Sequence, residues 1–173
     1  LPRLVAFDAE RSVLVLELVE ADSMLDRHQR TGRMSRQAAA ELGRSLATLH
    51  RATGSPRVRG RLQQELTARL PDAFVLHSPS LTFYRVYASQ GNVKLLRTIR
   101  QSESLFRGLD SLRAKWRQEC LVHGDPRWDN VLLSRRGVLT VVDWELSTLG
   151  DPCWDLGCVL VEHVNFWLGS VPI

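Results

Sequence analysis

The chain has 173 residues, a formal net charge of +4, 44% hydrophobic residues and 24% charged residues. This length supports one hydrophobic core, or one full lobe with a fragment of another, and the composition is that of an ordinary globular domain. The longest apolar stretch near the end, residues 156–161, is too short to span a bilayer, so we do not expect an integral membrane protein.

The three cysteines also narrow the class of protein. Cys120, Cys153 and Cys158 are odd in number and lack CxxC spacing, which argues against a disulfide framework and against a zinc site. No segment of the signal-peptide type opens the chain. We therefore expect a soluble protein of the reducing cytoplasm.

The net charge is distributed unevenly along the chain. Residues 1–55 hold eight basic and seven acidic side chains, residues 56–118 hold twelve and four, and residues 119–173 hold three and eight. An acidic excess at the end suits a site for magnesium. The basic middle leaves three interpretations open: solvated arginines on exposed helix faces, a neutral or anionic acceptor substrate, or a contact with nucleic acid.

Two β-strands are predicted first, at residues 4–7 and 13–18, with the second one buried. The clearest helix is predicted over residues 35–50, with Ser35 as its N-cap and Ala39, Leu42, Leu46 and Leu49 on one apolar face. His50, beside that face, is interpreted as a structural histidine.

The middle of the chain predicts two or three further helices, over residues 81–88, 93–102 and 109–119. Residues 83–87 interleave aromatic and basic side chains, a combination that can stack on unpaired bases. Core packing with a snorkelling Arg is the preferred interpretation of that run, so nucleic-acid binding is not expected.

Residues 121–145 carry the motif on which the functional prediction rests. A strand-like run at residues 121–122 leads to Asp125, Asn130 follows five residues later, and Asp143 stands after an apolar run at 138–142. In kinase-like phosphoryl transfer, an Asp accepts the proton of the attacking hydroxyl. An Asn five residues later and an Asp on the next hairpin hold the magnesium ions that bridge the nucleotide phosphates.

The ordered set of His-Gly-Asp (123–125), a spaced Asn, Asp-Trp-Glu (143–145) and Gly-Asp-Pro (150–152) resembles the aminoglycoside phosphotransferase and choline kinase-like family. The likeness is tight over residues 119–160. It implies an α+β, protein kinase-like fold, mainly the helical C-terminal lobe with a short catalytic β-hairpin. Residues 1–20 would then be the last strands and hinge of the N-terminal lobe, followed by the helical lobe.

The resemblance also implies the chemistry of the site. ATP would be the donor and Mg²⁺ the cofactor, with Asp125 as the base and with Asn130 and Asp143 as metal ligands. Arg127 either stabilises charge on the transferred phosphoryl group or forms a salt bridge within the loop. Asp129 is expected to point outward.

Other residues are expected to support this site. The hinge would hydrogen-bond the adenine edge through the backbone of Glu17 and Val19. His123 is expected to brace the loop, and Asp155 to hydrogen-bond the backbone of the loop. The helix that Asp151 caps is apolar on most sides and is expected to lie deep in the lobe.

Two familiar kinase elements do not occur in the sequence. There is no GxGxxG, and the only lysines, Lys94 and Lys115, stand too late to pair with the phosphates. We therefore expect the C-terminal portion of a small-molecule kinase, with a polycationic aminoglycoside disfavoured by the basic middle. A catalytically inactive lobe that serves as a binding module stays an alternative. A protein kinase is disfavoured by the Gly and the Trp-Glu of the motif, and an oligomer through sheet edges at 4–18 stays open.

Overall fold

The computed structural model describes residues 1–33, 35–75 and 89–170. The helix predicted over 81–88, together with the aromatic and basic run at 83–87, lies outside the described residues. Along the described chain the elements are β1 (Leu4–Asp8), β2 (Val13–Leu16), β3 (Asp22–Ser23), α1 (Met24–Thr31), α2 (Arg36–Thr53), α3 (Pro56–Glu65), α4 (Gln90–Gln101), α5 (Glu103–Lys115), β4 (Cys120–Val122), β5 (Val131–Leu133), β6 (Leu139–Val141), β7 (Thr148–Gly150) and α6 (Cys153–Ser170).

The strands form three small antiparallel sheets, in the orders β1-β2, β3-β5-β6 and β4-β7. In the second sheet Val131 lies opposite Val141, so β5 and β6 form the hairpin that the apolar runs predicted. In the third, Cys120 lies opposite Gly150, which brings the strand before residues 123–130 beside the strand before α6. The two small sheets thus hold both ends of the motif.

The predicted helix at 35–50 is confirmed as α2. The Ser35 hydroxyl accepts from the N–H of Ala38 at 3.2 Å, and the N–H of Gly54 donates to the carbonyl of His50 at 2.8 Å. The buried face carries Ala38 where the sequence predicted Ala39, because residues at i and i+4 share a face. It joins a core made of Met24, Ala38, Leu42, Leu46, Trp128, Val131, Leu133 and Val141.

The helices of the middle segment differ from their predicted bounds. The helix predicted at 93–102 begins three residues earlier as α4, and the one predicted at 109–119 begins at Glu103 as α5. Ser102 sets that earlier start, because its hydroxyl accepts from the N–H of Leu105 at 3.4 Å. Helix α3 was not predicted at all, although Pro56 occupies its first position, where proline is favoured.

Two expectations about burial are wrong. Every residue of β2 is exposed, because within the described part of the chain the β1–β2 hairpin forms a sheet of its own. Helix α6 does not lie deep in the lobe. It contacts the core on one side, where the Phe166 ring stacks on Trp128 with centroids 4.4 Å apart. Its other side exposes Leu156, Leu160, Val161, Val164, Trp167 and Leu168.

None of the described helices is both long enough and apolar enough to cross a bilayer.

Candidate active site

The candidate catalytic loop leaves β4 through a turn that requires glycine. Gly124 has φ +90°, and a Cβ atom there would collide with the carbonyl of Leu146. Because of this positive φ and this close contact, any larger residue at position 124 would require the backbone to shift. The glycine that separates this motif from that of the protein kinases therefore has a local structural cause.

Asp155 fixes the shape of this loop from helix α6. Its carboxylate is fully buried and accepts the N–H of His123 and the N–H of Gly124, each at 2.9 Å. The Nε2 of His50, at the end of α2, lies 2.8 Å from Oδ2 of the same carboxylate. The expected hydrogen bonds between Asp155 and the loop backbone are confirmed, and the buried carboxylate accepts from three donors in all.

His50 is the supporting residue whose connection the sequence did not reveal. It was interpreted as structural, which is confirmed, but its partner Asp155 lies 105 residues away along the chain. One signal was available in the sequence: an Asp in the first turn of a largely apolar helix needs a partner if it is buried, because an unpaired buried charge is costly.

His123 braces the loop, as expected. The side chain is fully buried, and its Nε2 lies 2.8 Å from the carbonyl oxygen of Val142. Because a carbonyl only accepts, Nε2 must donate, and Nδ1 is left to accept the N–H of Asp125 at 3.2 Å. This histidine therefore ties the loop to the end of the β5–β6 hairpin with both ring nitrogens.

Asp125 and Arg127 form a salt bridge within the loop. The Nε of Arg127 lies 3.0 Å from Oδ2 of Asp125, and Nη2 lies 3.5 Å from the exposed Asp129. Partial burial acts to lower the pKa of Arg127, but the neighbouring carboxylates outweigh it and the pKa is raised. The structure thus shows the salt bridge within the loop that was one of the two interpretations of Arg127. The contact of Arg127 with a phosphoryl group stays a prediction.

Asn130 and Asp143 lie side by side. The N–H of Val142 donates to the carbonyl of Asn130 at 2.9 Å, which places Asp143, the next residue, beside it. The amide nitrogen of Asn130 donates to the carbonyl of Asp125 at 3.0 Å, and the residue is buried. Asp143 is exposed and has φ +63°, a strained conformation for a residue with a side chain.

These two oxygen donors fit Mg²⁺, which is commonly held by one or two protein oxygens together with substrate phosphates. Asp143 makes no recorded hydrogen bond or ion pair within the described residues. Nor does the described part of the chain contain a cluster of three or more His, Cys, Asp or Glu placed to hold a metal. The other ligands of a magnesium ion here would come from water or from a bound phosphate.

Two cavities open beside the loop. The larger, of about 920 Å³, is lined by Glu17 and Val19, from the segment after β2, and by Asp143. The N–H of Glu17 is used by the carbonyl of Arg3 at 2.9 Å, which leaves only its carbonyl for a ligand. The smaller cavity, of about 290 Å³, has Asp125 in its lining. The loop thus lines the smaller cavity, and the segment after β6 lines the larger one.

The fold is the α+β fold of the kinase-like phosphotransferases, as expected. Residues 1–171 match the APH family model, described as the phosphotransferase enzyme family, and the chain belongs to this family. The choline kinase LicA from Streptococcus pneumoniae superposes with a TM-score of 0.54 at 20% identity, covering 94% of this chain and 51% of LicA. The spectinomycin phosphotransferase APH(9)-Ia gives a TM-score of 0.51 at 18% identity, covering 92% of this chain and 53% of that structure. The chain therefore spans about half the length of these structures.

Curated proteins match over shorter stretches. Acyl-CoA dehydrogenase family member 11 of Rattus norvegicus is 41% identical over 58 residues, which is 32% of this chain and 7% of that protein. The Gallus gallus protein of the same name is 51% identical over 58 residues. Acyl-CoA dehydrogenase family member 10 of Mus musculus is 58% identical over 38 residues, 21% of this chain and 4% of that protein.

Proposed function

We propose that this chain is an ATP- and Mg²⁺-dependent phosphotransferase that moves the γ-phosphoryl group to a hydroxyl of a small molecule. The observation that carries the proposal is the arrangement of Asp125, Asn130 and Asp143 around one loop, with Asp143 lining the larger cavity and Asp125 the smaller. Structures of the same fold support it, since LicA has a complex with AMP and APH(9)-Ia one with ADP and spectinomycin.

The larger cavity is the proposed nucleotide site. The carbonyl of Glu17 would accept from the adenine amino group, and the N–H of Val19, which has no recorded partner within the described residues, would donate to a ring nitrogen. Residues 1–20 would then act as strands and hinge, and residues 21–173 as the helical lobe. An ATP donor and the three free cysteines support a reducing, cytoplasmic setting.

Asn130 and Asp143 would hold the metal through the amide oxygen and the carboxylate. When bound, Mg²⁺ neutralises charge on the β- and γ-phosphate oxygens as that charge develops. The backbone hydrogen bond between Val142 and Asn130 keeps the two ligands adjacent before any phosphate arrives. The chain would thus supply two oxygen ligands, with the others coming from phosphate and water.

Asp125 would accept the proton of the acceptor hydroxyl. Arg127 contacts Oδ2 of Asp125, which leaves Oδ1 to face the hydroxyl. In the transfer step, the hydroxyl oxygen bonds to the γ-phosphorus while the bond from that phosphorus to the β–γ bridging oxygen breaks. ADP leaves with that electron pair, and the hydroxyl proton passes to Asp125.

Calorimetric titration of the 173-residue chain with ATP and Mg²⁺ tests the proposal directly. Asp143→Ala should abolish the Mg²⁺-dependent part of the binding, because it removes the only carboxylate of the proposed metal site. Glu119→Ala is the control, since Glu119 is an exposed acidic residue whose carboxylate pairs with Arg117 and lines neither cavity. Equal Mg²⁺-dependent affinity in both variants would contradict the assignment. Binding of ATP without transfer to any alcohol would favour a catalytically inactive binding module.

A further inference from the structure

The residues that line the smaller cavity, beside Asp125, indicate which acceptor molecule the proposed reaction would use. Eight of its thirteen described lining residues are apolar side chains or cysteine. Val122 is fully buried, and Leu70 and Leu146 are each about half exposed. Apolar walls with few polar groups favour a ligand whose body is apolar and whose orientation is set by a small number of contacts.

The aromatic wall of this cavity is preformed. Trp116 and Trp154 both contact the buried Phe74 edge to face, with ring centroids 5.5 and 5.6 Å apart. The two tryptophan rings also meet each other edge to face at 6.2 Å. Each ring is thus held by the other two, so the wall does not have to reorganise around a ligand.

Two polar side chains of the walls are already used by the protein. The indole N–H of Trp154 donates to the carbonyl of Gly124 at 2.9 Å. The hydroxyl of Thr148 donates to the carbonyl of Thr67 at 3.3 Å and accepts the N–H of Arg69 at 3.2 Å. Thr148 and Trp154 therefore have no donor left for a second hydroxyl of a ligand.

The thiol of Cys158 adds no charge to this cavity. Burial, followed by the nearby carboxylate of Asp155, raises the pKa of Cys158 to about 12, so the group is an uncharged thiol at neutral pH. Such a thiol behaves as a small apolar residue.

The remaining charges do not select a charged ligand. Arg69 and Asp72 line the cavity with opposite charges, and both residues are exposed to solvent. Asp125, the third charged residue of the described lining, is paired with Arg127. A polycation needs several unpaired carboxylates and a polyanion several unpaired cations, and the described lining has neither.

We propose that this cavity selects a neutral alcohol with an apolar body, such as an alicyclic alcohol, and discriminates against polyols and cationic alcohols. The inference rests on the proposed function, in which Asp125 receives the acceptor hydroxyl. One hydroxyl reaches Asp125, and the apolar body fills the space between Leu70, Leu146 and the tryptophans. Each additional hydroxyl that loses water without finding a partner costs on the order of tenfold or more in affinity.

Matched six-membered rings test this selection. Cyclohexanol, myo-inositol and trans-4-aminocyclohexanol share a ring and differ in hydroxyl count or charge, and choline adds a quaternary cation. Each is titrated into the chain with Mg²⁺ and a non-hydrolysable ATP analogue, with tryptophan fluorescence reporting on Trp116 and Trp154. Cyclohexanol is expected to bind at least about tenfold more tightly than myo-inositol, and neither cation should bind more tightly than cyclohexanol.

The same substitution at two leucines provides the matched control. Leu70 is 40% exposed and lines the cavity, whereas Leu105 is 43% exposed and lies on α5 outside its lining. Leu70→Asp should weaken cyclohexanol binding by about tenfold, since it replaces apolar contact with charge. Leu105→Asp should leave that binding unchanged, and the unfolding midpoint of each variant shows whether it is folded.

The outcomes separate this inference from the proposed function. Tighter binding of myo-inositol or of either cation, no binding of any alcohol by a chain that binds ATP, or equal effects of the two leucine variants would overturn it. Selective cyclohexanol binding by a chain that neither binds ATP nor forms ADP would support the selectivity of the cavity and refute the phosphotransferase proposal.

Discussion

Removing the carboxylate of Asp155 should uncouple the catalytic loop from the rest of the lobe. This one group accepts the N–H of His123, the N–H of Gly124 and the Nε2 hydrogen of His50, and it is fully buried. In Asp155→Ala all three donors lose their acceptor in a place where water cannot easily replace it. In Asp155→Asn the shape and one acceptor oxygen remain, but the amide NH₂ faces a donor.

The expected cost follows from these contacts. A buried donor left without a partner costs about 1–3 kcal/mol, and breaking a buried charged network typically costs about 3–5 kcal/mol. We therefore expect Asp155→Ala to lower the free energy of unfolding by about 3–5 kcal/mol and Asp155→Asn by about 2 kcal/mol. His50→Ala removes one of the three donors and should cost about 1–2 kcal/mol.

Urea unfolding followed by tryptophan fluorescence measures these losses. Asp151→Asn is the control, because Asp151 caps the same helix with one exposed hydrogen bond to Cys153, and Asn caps as well as Asp. A loss below about 1 kcal/mol for Asp155→Ala would refute the reasoning, since two buried N–H groups cannot lose a charged acceptor so cheaply. A larger loss of unfolding free energy for His50→Ala than for Asp155→Ala would also refute it.

Three further predictions follow from the site. Asp125→Ala should lower turnover by about 10²–10⁴-fold with an unchanged unfolding midpoint; an ADP-coupled assay with a hydroxyl acceptor measures it, and undiminished turnover would rule out the proposed base. Gly124→Ala should lower the free energy of unfolding by about 2 kcal/mol or more, because its Cβ would meet the Leu146 carbonyl; a stable variant would show that the loop can shift. Burial raises the pKa of Cys120 to about 11 and of Cys158 to about 12. The pKa of the exposed Cys153 is raised less, by its hydrogen bond to Asp151, so Cys153 should alkylate fastest of the three at pH 8, and all three should alkylate faster as pH rises, because the thiolate is the reactive form. Mass spectrometry of iodoacetamide-treated protein checks the order, and equal rates for the three cysteines would contradict it.

The β5–β6 hairpin and the catalytic loop were predictable because their signals are local. Apolar runs at 131–133 and 138–142 flank a short turn, and the spacing between Asp125 and Asn130 falls within one loop. The cap of α2 at Ser35 and that of α6 at Asp151 are also local, since each bonds a backbone N–H within three residues. Such features depend on residues that are close together along the chain, so they can be predicted from the sequence.

Burial and long-range partners were not predictable in the same way. The apolar patterns of β2 and α6 indicated buried elements, but the pattern does not say which face finds a partner, and in the structure large parts of both are exposed. The start of α3 was missed because its apolar periodicity is weak, and only Pro56 at its first position marked it. The start of α5 was not predicted because Ser102, which caps the helix, is one of several nearby serines that could serve as an N-cap.

The sequence by itself determined the family, the kinase-like fold and the residues proposed for the chemistry, because the motif spacing places the proposed base and the two proposed metal ligands on one loop and one hairpin. Only the tertiary structure decided that His50 meets Asp155, that the Glu17 N–H is already used by Arg3, and that Trp116, Trp154 and Leu70 line one cavity with Asp125. Apart from Arg3 and Glu17, which belong to one hairpin, these residues come from segments far apart in the chain. Their contacts are set by how helices and sheets pack, which no local pattern of residues records.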